Sequence, residues 1–145
     1  MIQREESDEM VKNGWIRAWM MFEVLAISEE TTKNSLESLV NKLEKDARVK
    51  VYGKSFGSTK KVEKPMPSVE FGYSLTCEIE LVSPKLDNLA QVVTEYGPSA
   101  IELLEPSKIS VDSGEAQAIL NSISMIMHDF AAAGAGGIVF LKGEK

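Results

Sequence analysis

The chain predicts an α+β fold of the ferredoxin-like class, a split β-α-β (βαββαβ) antiparallel sheet with an additional C-terminal helix. Three observations carry this. Two long stretches, Trp15–Ile27 and Ser68–Val82, alternate with a period of two. Two amphipathic helical stretches, at about 29–46 and 84–96, follow those strands in turn. The order strand, helix, strand, strand, helix, strand is the split β-α-β order, and right-handed crossovers then bring the two longest strands together at the centre of the sheet.

Residues 1–13 carry Glu5, Glu6, Asp8 and Glu9 with few apolar side chains, and read as a flexible acidic arm or short surface helix ahead of a single domain spanning 14–145. In Trp15–Ile27, one face holds Ile16, Ala18, Met20, Phe22, Val24 and Ala26, which belong in the core. The other holds Trp15, Arg17, Trp19, Met21, Glu23, Leu25 and Ile27, more apolar than a solvated face requires. Ser28 suits an N-cap, with Glu29 and Glu30 favouring the first turn. Leu36, Leu39, Val40 and Leu43 then repeat at helical spacing.

From Arg48 to Phe56 alternation returns, with Val49 and Val51 on one face and Lys50, Tyr52 and Lys54 on the other. Gly57, Pro65 and Pro67 mark 53–68 as a loop or irregular hairpin arm. Ser68–Val82 points Val69, Phe71, Tyr73, Leu75, Cys77, Ile79 and Leu81 inward and Glu70, Ser74, Thr76, Glu78 and Glu80 outward. Ser83-Pro84 predicts a cap and first turn, and Gly97-Pro98 a helix stop. A short strand spans 99–104. Asp112 and Glu115 form a capping box for a helix at about 113–133, and Gly134, Gly136 and Gly137 end it. The run 138–141 is apolar and suits one more short strand.

At 145 residues the chain buries roughly 68–70% of its unfolded surface, enough for a core without staples. The net charge of −6 opposes a nucleic-acid-binding surface over the whole molecule, though not a local basic patch. A single Cys and a single His exclude a Cys/His zinc site within one chain, and no cofactor is expected. No apolar run reaches the roughly 18–20 residues of a membrane span, and no signal-peptide core precedes Gly14, so a cytoplasmic protein is expected.

No catalytic constellation is visible. His128 and Asp129 are helix neighbours about 100° apart and form no dyad, and Cys77 points into the core. Glu23, Glu70, Glu78 and Glu80 share a face that ion pairs or water satisfy more readily than a metal. The candidate interface or ligand face is therefore Trp15, Arg17, Trp19, Met21 and Glu23. Its tryptophans need a cover: the C-terminal helix, a second copy of the chain, or a ligand. Lys50, Lys54, Lys60, Lys61 and Lys64, with Arg48 beside them and only Glu63 against them, form a candidate anion-binding strand and loop. As a solvated edge they would equally deter edge-to-edge pairing.

The run Tyr96-Gly-Pro-Ser-Ala-Ile-Glu-Leu-Leu-Glu-Pro106, followed by a helix, resembles the end of the WCX extension behind WYL domains in bacterial-type transcription regulators. That extension is itself ferredoxin-like, and the resemblance implies a regulatory or ligand-sensing module. The chain has no helix-turn-helix and no WYL segment, so the resemblance carries over no effector-binding residue. The first expectation is a non-enzymatic module that works by association, as a homodimer, and senses a small ligand. The second is RNA or phosphate binding through 48–64, and the third an enzyme with a site its residues do not advertise.

Overall fold

The computed structural model describes residues 1–133 of the chain. Its elements are α1 (Arg4–Lys12), β1 (Ile16–Ala26), α2 (Glu29–Glu44), β2 (Lys50–Phe56), β3 (Lys60–Met66), β4 (Val69–Ser83), α3 (Leu86–Tyr96), β5 (Ala100–Glu105) and α4 (Ser113–Ala133). The sheet order is β2-β4-β1-β5, the ferredoxin-like arrangement, with β3 also paired to β4. The two long strands are central neighbours, in register from Ile16 opposite Ser83 to Ala26 opposite Tyr73.

β2 and β3 both run antiparallel to β4 and lie end to end along its outer side, β2 against Lys50↔Val82 to Phe56↔Cys77, and β3 against Lys60↔Ser74 to Met66↔Val69. The expected loop at 53–68 is thus mostly strand. Its glycine and prolines interrupt an edge rather than abolish it, because an edge strand needs to pair on one side only. The short extra strand suggested at 138–141 lies outside the described residues.

The core sits between the sheet and α2 with α3. Ile16, Ala18, Met20 and Phe22 of β1 meet Leu75, Cys77, Ile79 and Leu81 of β4, Leu36, Val40 and Leu43 of α2, and Leu89 and Val92 of α3. Burying each such side chain contributes roughly 1.5–3 kcal/mol. Cys77 is fully buried, and desolvation raises its pKa, so it behaves as a small core hydrophobe. Thr32, also fully buried, ties α2 to the sheet: its hydroxyl lies 3.0 Å from the Tyr73 carbonyl and 2.8 Å from that of Ser28. Phe71 and Tyr73, read as inward, are less buried than Leu75 to Leu81: Tyr73 is half-buried and Phe71 exposed.

The helix ends follow local chemistry. The Ser28 hydroxyl accepts from the Thr31 N–H as expected, and Gly97 closes α3 in the left-handed conformation at φ 60°. Ser83 does not cap α3: its buried hydroxyl donates to the Arg48 carbonyl instead. The cap comes from another element. One Glu115 oxygen accepts from the N–H groups of Leu86 and Asp87 at 2.7 and 3.2 Å, while Asp112 caps α4 by accepting from the Glu115 N–H.

The sequence left open where two helices pack. The arm at 1–13 is helical over Arg4–Lys12, closed by a Gln3–Glu6 capping box, and it docks on the open face of the sheet. α4 packs on α3, on the helix side, and so does not cover the tryptophan face.

Candidate ligand face of the sheet

The open face of the sheet is built from the outward positions of β1, β4, β2 and β5. Arg17 is its buried member, at 3% exposure. Its Nε donates to Glu105 at 2.7 Å, Nη1 to Ser7 at 2.9 Å and Nη2 to Asp8 at 2.6 Å, and its guanidinium lies 4.9 Å from the Tyr52 ring centre. Burial disfavours its charge, and Tyr52, Glu105 and Asp8 more than offset that. Arg4 reaches the same ring at 5.4 Å and Glu80 at 3.9 Å. α1 therefore covers one end of the face through Arg17 and Tyr52, and Arg17 serves as an anchor for α1.

The remainder of the face is open. Trp19 is half-buried and stands opposite Glu80 on β4 and Glu102 on β5. Met21, also half-buried, stands opposite Glu78 and Ala100. Glu23 is exposed and accepts from the Ser74 hydroxyl at 2.7 Å. Beside Trp19 lies a shallow depression of about 390 Å³ lined by Trp19, Gly53, Lys54, Ser55, Glu78 and Glu80. A β-bulge at Val51–Gly53 shapes it by placing Tyr52 and Gly53 on the same side. A Cβ at Gly53 would stand 3.0 Å from a Glu80 carboxylate oxygen, so glycine leaves that carboxylate room to turn toward Trp19.

Of the five residues proposed for this face, Trp19, Met21 and Glu23 line its open part, Arg17 is locked under α1, and Trp15 is half-buried just beyond Asn13–Gly14 at the α1–β1 joint. Glu78, Glu80 and Glu102 complete it. Glu102 was missed because the short strand 99–104 was not assigned a register, and only the pairing with Trp19 reveals its place.

The lysines do not form one patch. The bulge carries Lys54 to the helix side, where its ammonium sits 2.6 Å from Glu44. Lys50 lies opposite Val82 at the far end of β2. Lys60, Lys61 and Lys64 lie on β3, Lys61 over the Phe71 ring at 4.2 Å, in a depression that also contains Glu63 and Glu70. Arg48 is held by Asp46 at 2.7 Å and Glu95 at 2.6 Å. That pairing holds Asp46 well below the usual carboxylate range, and burial with the Asp46 hydrogen bond pushes the Tyr96 phenol up to about 12.

Among the described residues no group of three or more His, Cys, Asp and Glu side chains could hold a metal ion, and no helix is long and apolar enough to cross a membrane. The open face instead joins an aromatic floor to carboxylates on both neighbouring strands. An organic cation fits such a surface: the ring attracts it through its quadrupole, the carboxylates through charge, and its carbon surface packs on the indole.

The MJ0538 family profile matches residues 17–139, from the second residue of β1 through all of α4. No curated protein and no solved structure matches the chain.

Proposed function

The chain belongs to the MJ0538 family, and we propose that it is a non-enzymatic binding module that senses a small organic cation on the open face of its sheet. The observation that supports this reading is Trp19 standing half-exposed between Glu80 and Glu102, with Glu78 beside it. The clear pKa shifts of Asp46, Arg48, Glu95 and Tyr96 belong to one ion-pair cluster on the helix side, where they fasten the α2–β2 turn to α3.

The test uses Trp15→Phe, which leaves Trp19 as the only indole. Its fluorescence is titrated with tetramethylammonium chloride, against sodium chloride at equal ionic strength. The reading expects a saturable change with tetramethylammonium alone, weakened roughly tenfold, about 1.4 kcal/mol, in Glu80→Gln/Glu102→Gln. An equal response to sodium would sink it.

A second reading, anion or RNA binding, draws on the exposed Lys60, Lys61 and Lys64 of β3. It expects binding of a short RNA that falls steeply with salt. Binding insensitive to Lys60→Ala/Lys61→Ala/Lys64→Ala removes it.

A further inference from the structure

α4 is a 21-residue helix with no buried residue. Its inner side meets α3 through half-buried Ile119, Ser122 and Ile126, and through the Glu115 carboxylate. Its outer side is also apolar. Leu120, Ile123, Met127 and Phe130 are 61%, 51%, 47% and 49% exposed. A globular surface helix carries one apolar stripe and a polar opposite face, whereas a helix apolar on both sides is normally covered on both.

The spacing identifies the kind of cover. Ala116, Leu120, Ile123, Met127 and Phe130 follow one another at steps of four, three, four and three. That is the seven-residue repeat of a helix-pairing seam, distinct from the broader stripe of a helix lying on a sheet. The positions flanking the seam are Gln117, Ser124 and Ala131 on one side and Ile119, Ile126 and Ala133 on the other. None is charged. A partner of opposite charge has nothing to read there, while a second copy of the same seam meets no like-charge repulsion.

We propose that two copies of this chain associate in solution by pairing their α4 helices along this seam. Two-fold pairing places the same patch on both sides of the contact. The four exposed seam side chains, Leu120, Ile123, Met127 and Phe130, present on the order of 400 Å² of apolar surface, within the range of the largest patch a monomer normally leaves bare. A stable dimer needs about 800 Å² per partner. On the helix side of the sheet, the exposed edge strand β5 adds Ile101 and Leu103 at 42% and 46% exposure. The pairing leaves the Trp19 face open and does not depend on the cation reading.

The test uses the full chain. Light scattering and sedimentation equilibrium from 1 to 100 µM, about the range in which a dimer of this kind forms, are expected to give twice the 16.0 kDa chain mass. Leu120→Glu/Ile123→Glu should be monomeric with unchanged far-UV circular dichroism, while Leu25→Glu, on the opposite face, should remain dimeric. A second variant guards against misfolding. Ile123 is the midpoint of the seam and meets its own copy in either helix orientation, and Cys77 is buried, so Ile123→Cys supplies the one accessible thiol among the described residues. A short bis-maleimide should join it into a covalent dimer. A wild-type chain that stays monomeric across the range overturns the proposal, as would happen if the chain's own residues 134–145 or a different protein covered α4. A dimer that survives the double substitution, or an Ile123→Cys chain that does not cross-link, also overturns it.

Discussion

Arg17 joins three parts of the molecule with one side chain. Its guanidinium is almost wholly buried, while Asp8 and Glu105 are about half exposed. Removing it leaves two carboxylates that water can reach, so the cost falls below that of orphaning a buried charge. Arg17→Met is expected to lower stability by roughly 1–2 kcal/mol and to undock α1 while the sheet persists. Hydrogen exchange would read this as faster exchange confined to Arg4–Lys12 and the neighbouring Tyr52. Equal protection of α1 in both proteins would show that Arg17 is not its anchor.

Asp46 sets a pH dependence on the helix side. Its carboxyl accepts from the Arg48 side chain and backbone and from the Tyr96 hydroxyl, and these bonds depress its pKa. A carboxylate with a depressed folded pKa contributes stability above its unfolded value of about 3.9 and loses it as pH falls through the folded value. The difference in unfolding free energy between wild type and Asp46→Asn, from urea titrations, should therefore be about 1–3 kcal/mol at pH 7 and shrink by pH 3. A constant gap would contradict this. Tyr96, held up to about 12, acts at the other end: its contribution is complete below pH 10 and fades as pH rises through about 12.

At the scale of elements, α3 and α4 form one unit because α4 caps α3. Lys85 at the N-cap position makes no side-chain cap, and Glu115 supplies the acceptor from 29 residues away. Glu115→Ala is expected to cost roughly 0.5–2 kcal/mol and to raise hydrogen exchange at Leu86 and Asp87. Ser83→Ala should leave those two amides unchanged, because its hydroxyl serves Arg48. Exchange unchanged in Glu115→Ala would contradict the cap.

These elements also show where sequence reasoning stops. The central strands are legible from alternation alone, because each buries one face. So are α2, from Leu36, Val40, Leu43 and Ser28, and the start of α4 at Asp112. The cap of α3 is not legible, since local spacing shows that Glu115 can pair with Asp112 but not that its carboxylate reaches another helix. β3 is obscured by Pro65 and by charge at four of its first five positions, Lys60, Lys61, Glu63 and Lys64, a pattern that solvated loops share. The docking of α1 rests on contacts with Arg17 and Tyr52 that no periodicity within 1–13 encodes.

For the whole molecule, the sheet has one closed and one half-open face. α2 and α3 seal the core side, whereas α1 covers only the Arg17 and Tyr52 end of the other. The open part is where the sequence placed a candidate face, with Trp19, Met21 and Glu23 correctly grouped and Glu102 hidden until strand register was known. The lysine patch did not assemble: a single-residue bulge turned Lys54 toward Glu44, Lys50 sits at the far end of β2, and Lys60, Lys61 and Lys64 lie on β3. One bulge reverses every later side chain of a strand, and composition carries no sign of it.

The central claim is that Trp19 and the carboxylates on its two neighbouring strands form one cation-binding surface. Two-dimensional nitrogen–proton NMR of the full chain during a tetramethylammonium titration tests it most directly. The Trp19 indole N–H and the backbone amides of Gly53, Glu80 and Glu102 should shift together along one saturating curve, with Lys60–Met66 unaffected. Shifts that fail to saturate, or that sodium reproduces at the same ionic strength, would contradict it.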